Sequence, residues 1–198
     1  ISQLHITTIN TRGLRDEVKC QSVFDHLHNS GGDLFLLQEC GLPFMENYSK
    51  YEKRWPHGWS IWSGDNQNTA TGVAILFNNK KFQIEKVENI VDGRVLLIDL
   101  DKEGFQIRLI NVYGPTDLSE RVILLQNLQS YICCGKNVII AGDFNCILEK
   151  RGGNSKNAST NRTDTSSKDY MWKMKFGKKS KEDISIWKVP EILHNIVN

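Results

Sequence analysis

The chain has 198 residues, 39% of them hydrophobic and 24% charged, and a formal net charge of +2. This is the composition of an ordinary globular chain with one large domain or two small ones. No apolar stretch is long enough to span a bilayer as a helix. The total charge does not by itself demand a nucleic-acid partner.

The first segment, LHITTIN at 4–10, alternates as a strand and ends in the turn Asn10-Thr11-Arg12-Gly13. Residues 17–29 place Cys20, Val23, Phe24 and Leu27 on one helical face, and Gly31-Gly32 stops the helix. DLFLLQEC at 33–40 is a buried strand ending at Gln38-Glu39. Residues 41–60 are aromatic and irregular, with Tyr48, Tyr51, Trp55 and Trp59. Three strands follow, GVAILF (72–77), RVLLIDL (94–100) and FQIRLINVYG (105–114), with NNKK and DKEG as hairpin-like linkers. Thr116 or Asp117 caps a helix carrying Leu118, Val122, Leu125, Leu128 and Ile132 on one face. NVIIAGDFN at 137–145 is again a buried strand. Strands outnumber helices and the helices lie between them, which predicts a mixed α/β domain.

The expected organisation is a core over 1–150, a polar loop or linker over 151–168, and a divergent or truncated segment over 169–198. The chain opens on Ile1 rather than Met, so an excised or incomplete chain is expected. Five cysteines occur without a CxxC pair or Cys/His ligand spacing, which points to reduced thiols and an intracellular compartment. Residues 168–181 hold six lysines, among them Lys173 and Lys175, against Asp169 alone. That stretch reads as a solvated face or as a contact to a phosphate backbone.

Polar chemistry collects where the strands stop. Asn10, Glu39, Tyr113 and the pair Asp143/Asn145 each end an apolar strand. The spacing of Asp143 and Asn145 points both side chains to one side of an extended chain. Taken singly, Asn10 is a turn residue, Glu39 a solvent contact and Tyr113 a packed aromatic with a wet tip. Taken together, they are hard oxygen ligands with few positive charges, the donor set of Mg²⁺. Asp143 is placed to orient or deprotonate a water. Asn145 and Tyr113 are placed to donate to a developing phosphorane oxygen.

The succession INTRGL, LLQEC, GVAILF, INVYGPT and IIAGDFN resembles the endonuclease/exonuclease/phosphatase superfamily. GRVLLIDL, NVYGP and GDFNC are most similar to the endonuclease domain of LINE-type (non-LTR) retrotransposons, relatives of the apurinic/apyrimidinic endonucleases. The resemblance covers residue 4 to about 150 and extends weakly through DISIWKVP at 183–190. It implies a four-layer α/β sandwich of two packed mixed sheets with outer helices, incomplete at the C-terminus. It implies a phosphodiesterase dependent on Mg²⁺ or Mn²⁺ that nicks DNA and leaves a 3′-hydroxyl. It further implies a nuclear location, and a longer polyprotein that contains a reverse transcriptase. No membrane and no small-molecule cofactor are expected.

Carried over, Asn10 and Glu39 fall at metal-binding positions, and Tyr113 at a phosphate-contacting one. Asp143 and Asn145 fall at the nucleophile-activating and transition-state positions. Thr116 stands where the family pattern has an Asn, and with Lys173 and Lys175 it completes the expected substrate contacts. The closing Ser-Asp-His motif of the family does not occur, and His194 has no preceding Asp, so impaired activity is expected. The alternatives are a superfamily phosphatase or phosphodiesterase acting on another phosphate, and a non-catalytic remnant of the fold.

Overall fold

The computed structural model describes residues 4–43 and 48–145, and the backbone of Met171–Met174. In chain order the elements are β1 (Leu4–Asn10), α1 (Glu17–Asn29), β2 (Leu34–Gln38), α2 (Ser49–Arg54), β3 (Ser60–Ser63) and β4 (Val73–Phe77). They continue with β5 (Gln83–Val91), β6 (Val95–Lys102), β7 (Phe105–Tyr113), α3 (Leu118–Ile132), β8 (Asn137–Asp143) and β9 (Met171–Met174). Two sheets form, one ordered β3-β4-β2-β1-β9 and the other β5-β6-β7-β8. Each contains one parallel pair, β1 with β2 and β7 with β8. A parallel pair needs a crossover, which α1 and α3 supply.

The two-residue period of the strands sorts the core into layers. Leu34 and Leu36 of β2 share one core with Leu4 and Ile6 of β1, and with Leu96, Ile98, Ile107 and Leu109 from the other sheet. Phe35 and Leu37 point the opposite way, onto Cys20, Phe24 and Leu27 of α1. Likewise Val95, Leu97, Ile110 and Val112 pack against Leu124, Leu128 and Ile132 of α3. Helix, sheet, sheet, helix is the four-layer sandwich that the sequence implied.

Three details differ from the sequence reading. Tyr51 and Trp55 are buried beneath α1, and the Trp55 indole donates to the Phe77 carbonyl at 2.8 Å. The 41–60 aromatics are therefore partly core, because α2 needs an apolar face to dock. On α3, Leu124 is buried where Leu118 was expected, and Leu118 stays exposed in the first turn. Of the two candidate caps, Asp117 is used: its carboxylate accepts from the Glu120 N–H at 3.0 Å. The expected linker 151–168 lies outside the described residues. Of the 169–198 segment only β9 is described, paired antiparallel with β1.

Gly142 shows how closely β7 and β8 approach. Its φ is +143°, and an added Cβ would run into the Val112 carbonyl of the paired strand. Gly142→Ala is expected to cost about 1–3 kcal/mol from backbone strain alone. A thermal melt checks this, and an unchanged midpoint contradicts it.

Candidate active site

Four inward-facing rows carry the core into the site. On β1 the row reads Leu4, Ile6, Thr8, Asn10, and on β2 Leu34, Leu36, Gln38. On β7 it reads Ile107, Leu109, Asn111, Tyr113, and on β8 Ile139, Ala141, Asp143. Each row changes from apolar to polar at the C-terminal end of its strand.

The first polar layer is Thr8, Gln38 and Asn111, all buried. Buried amides are costly unless every polar atom is satisfied. Here Gln38 Nε2 donates to Asn111 Oδ1 at 2.7 Å and to the Leu36 carbonyl at 3.0 Å. The Thr8 hydroxyl donates to Gln38 Oε1 at 3.2 Å. Asn111 Nδ2 donates to the Leu37 and Ala74 carbonyls at 3.0 and 2.9 Å. A residue of one sheet thus closes the ends of two strands in the other, and fixes the sheets against each other beneath the site.

Asn10, Tyr113 and Asp143 stand on this floor. Asp143 Oδ2 accepts from Asn10 Nδ2 at 2.9 Å, and its Oδ1 accepts from the Asn145 N–H at 3.0 Å. Asn10 is held in turn, its Oδ1 accepting from the Arg12 N–H at 3.0 Å. Extended geometry for 143–145 does not hold: β8 ends at Asp143, and Asn145 has φ +49°. The chain turns there, which is how the Asn145 N–H reaches the Asp143 carboxylate. The Asn145 side chain donates to the Gly114 carbonyl at 2.8 Å.

Glu39 reaches the site by breaking the strand period. Its odd position would aim it at the helix layer, but φ +50° at Glu39 turns the chain. Its carboxylate accepts from the Tyr113 hydroxyl at 2.9 Å. Arg12, Glu39 and Asn145 are three of four described non-glycine residues with positive φ, and all three border the site. Such backbone costs about 1–3 kcal/mol at each residue and persists only where its surroundings hold it. Thr11 helps here, since its hydroxyl lies 3.0 and 3.1 Å from the Gln38 and Glu39 carbonyls, which accept from it.

Burial, then the hydrogen bond and charge of Glu39, push the Tyr113 hydroxyl up to about 12. Asp143 pushes the same way, while the Arg94 guanidinium, 5.4 Å from the ring centroid, pulls against them. Tyr113 therefore remains a neutral hydrogen-bond donor across the physiological range. Among the described residues no three His, Cys, Asp or Glu side chains form a metal cluster. Carboxylates and an amide oxygen on Glu39, Asp143 and Asn10 fit Mg²⁺, which takes few protein ligands and keeps its waters.

The remaining expected residues lie apart. Thr116 is exposed in the β7–α3 loop. Lys173 pairs by backbone with His5, at the end of β1 opposite Asn10. Lys175 lies outside the described residues. The sequence reading missed Asn111, Arg94 and Arg121. Asn111 was legible in principle, because it sits two residues before Tyr113 in the same inward row. Arg121 carried no local signal: from α3 its Nη1 donates to the Pro115, Thr116 and Asn145 carbonyls at 3.0, 3.2 and 2.8 Å. It thereby ties together the two loops that carry Thr116 and Asn145.

Amide donors, carboxylates and a neutral tyrosine thus gather at one end of a two-sheet sandwich. The chain belongs to the Endonuclease/Exonuclease/phosphatase family, whose sequence model matches residues 7–183. It is 30% identical over 158 residues to the transposon TX1 uncharacterized 149 kDa protein of Xenopus laevis. That match covers 76% of this chain but only 12% of the relative's length. The fold is shared with humanized D. rerio TDP2 (TM-score 0.60, 20% identity, 74% of this chain and 64% of that one). It is also shared with an AP endonuclease from Archaeoglobus fulgidus (TM-score 0.58, 21% identity, 74% and 59%). D. rerio TDP2 complexed with single strand DNA product superposes with a TM-score of 0.57 at 20% identity, covering 74% and 62%. At these identities the structures establish the fold alone.

Proposed function

We propose that the chain is the endonuclease part of a LINE-type retrotransposon polyprotein, a phosphodiesterase that nicks DNA and leaves a 3′-hydroxyl. The observation that carries the reading is Asp143, clamped between Asn10 and the Asn145 N–H, beside the Glu39–Tyr113 pair. The family and the transposon relative support it. The relative's much greater length supports a larger polyprotein; a reverse transcriptase within it and a nuclear location belong to the same proposal.

Glu39 and Asn10 would hold Mg²⁺ or Mn²⁺, whose charge would polarise the phosphoryl group. Asp143, fixed by its two donors, takes a proton from the attacking water. The water oxygen bonds to phosphorus, and the bond from phosphorus to the 3′-oxygen breaks. Asn145 donates its second amide hydrogen, and Tyr113 its hydroxyl once that turns from Glu39, to phosphoryl oxygens as charge develops on them. Among the described residues no histidine stands at this end, since His5, His26, His28 and His57 lie at the opposite one, and the departing 3′-oxygen takes its proton from solvent. Absence of a positioned general acid typically costs ~10²–10⁴-fold in rate. Slow nicking is therefore expected of these 198 residues.

Glu39→Ala is expected to abolish weak binding of Mg²⁺ or Mn²⁺. Metal titration followed by tryptophan fluorescence tests this, and equal affinity in the two proteins removes Glu39 from the site. Hydrolysis of small phosphate esters with no nicking of plasmid would favour a phosphatase of the same family.

A further inference from the structure

We infer that Arg121, near the start of α3, is a positioning residue for the reaction proposed above: it holds the turn after β8 in the shape that lets Asn145 serve both Asp143 and the phosphoryl group. The inference rests on that functional reading. Arg121 Nη1 donates to the Asn145 carbonyl at 2.8 Å, and to the Pro115 and Thr116 carbonyls at 3.0 and 3.2 Å. Two N–H groups on one nitrogen thus serve three acceptors from two loops. Carbonyl oxygens that converge in this way repel one another unless a charged donor stands between them.

Other contacts draw the same two loops together. The Gly114 N–H donates to the Asp143 carbonyl at 2.7 Å, and the Asn145 side chain donates to the Gly114 carbonyl at 2.8 Å. The loops approach so closely that a Cβ on Gly114 would lie 2.6 Å from the Phe144 carbonyl oxygen. Phe144 packs against the core that contains Leu124, Leu128 and Ile132 of α3. The turn is therefore seated by an apolar ring at 144 and tied by Arg121 at 145. There Asn145 takes φ +49°, and its N–H reaches Asp143 Oδ1 at 3.0 Å. Local stability does not account for the arginine. A cation near the start of a helix opposes the helix dipole. Its Nε is buried with no hydrogen-bond partner among the described residues, and a buried donor left unpaired is destabilising. What offsets both is the junction of the two loops, and that junction borders the Asp143 cluster.

The test is steady-state cleavage of a labelled DNA duplex by the full chain with Mg²⁺, together with amide hydrogen exchange of the same proteins. Arg121→Gln is expected to lower kcat by ~10–10²-fold at unchanged KM, because a misplacement of about 1 Å can cost ~10²-fold and the Asn145 contact strengthens only in the transition state. Arg121→Lys should recover most of that loss, since an ammonium offers three N–H groups to the three carbonyls. In Arg121→Gln the Gly114 and Asn145 amides should exchange faster, while Ile140 of β8 and Leu128 of α3 keep their protection. Wild-type kcat in Arg121→Gln overturns the inference. So does a raised KM at unchanged kcat, which would make Arg121 a substrate contact. Equal losses in both variants, with exchange quickened throughout β8 and α3, overturn it in favour of a purely structural role. Wild-type protein that protects the Asn145 amide yet does not cleave the duplex overturns the functional reading and the inference with it.

Discussion

Asp143→Ala is expected to lower the rate of plasmid nicking by ~10²–10⁴-fold, the usual cost of losing a positioned general base. The fold should survive, because the groups that lose their acceptor can reach water. Both hydrogen bonds to the carboxylate are only part-buried. The effect on melting should therefore be small. Asn10→Ala should cost less than Asp143→Ala, since it removes one clamp and one oxygen donor but leaves the base. The double variant should lose less than the two single losses combined, because holding Asp143 is part of what Asn10 does. Nicking assays on the three variants decide this, and additive losses would show that Asn10 works independently of Asp143.

The largest stability effect is expected far from the site, at Asp99. Asp99 and Arg108 face each other across β6 and β7. Arg108 Nε and Nη2 each donate to a different Asp99 oxygen at 2.7 Å, and Lys136 Nζ adds a third bond at 2.7 Å. The side chains of Arg108 and Asp99 are only 9% and 4% exposed. Asp99→Ala leaves the guanidinium buried and uncompensated, which costs about 3–5 kcal/mol. Asp99→Leu with Arg108→Leu should recover most of that loss, because removing both charges removes the unpaired one.

The same pair sets an acid limb. The Arg108 hydrogen bond, aided by Lys136 and opposed by burial, lowers Asp99 to about 2. A carboxylate depressed in the folded state contributes stability that is whole above its unfolded value. That contribution drains as pH falls from about 4 towards 2, and amounts to about 2 kcal/mol. Urea melts across that window should show the loss in the wild type and not in the double variant. Equal acid sensitivity in both would place the titration elsewhere.

What could be read from the sequence was what repeats locally. β1, β2, β4, β6, β7 and β8 are apolar on one face or both, and their alternation or their continuous apolar runs give them away. β5 escaped because it is an edge strand: Gln83, Glu85, Lys86, Val87 and Asn89 are exposed, so its pattern is polar. β3 and α2 are short, with their aromatic anchors irregularly spaced, and only tertiary packing reveals them. The site was legible as a list of strand ends, because an apolar run closing in Asn, Glu or Asp is unusual. Its assembly was not. Left-handed backbone at Glu39 and Asn145 redirects both residues, and no periodicity encodes that. Asn111 and Gln38 read as ordinary strand polar residues until the two sheets are brought face to face.

The central claim is that the Asp143 cluster cleaves a DNA backbone on the 3′-oxygen side of phosphorus. The direct measurement is incubation of supercoiled plasmid with Mg²⁺, followed by extension with a DNA polymerase and labelled nucleotides, without phosphatase treatment. The account predicts slow conversion to open circles that accept label at once, and no conversion by Asp143→Ala. Circles that take up label only after phosphatase treatment, or equal nicking by Asp143→Ala, would contradict it.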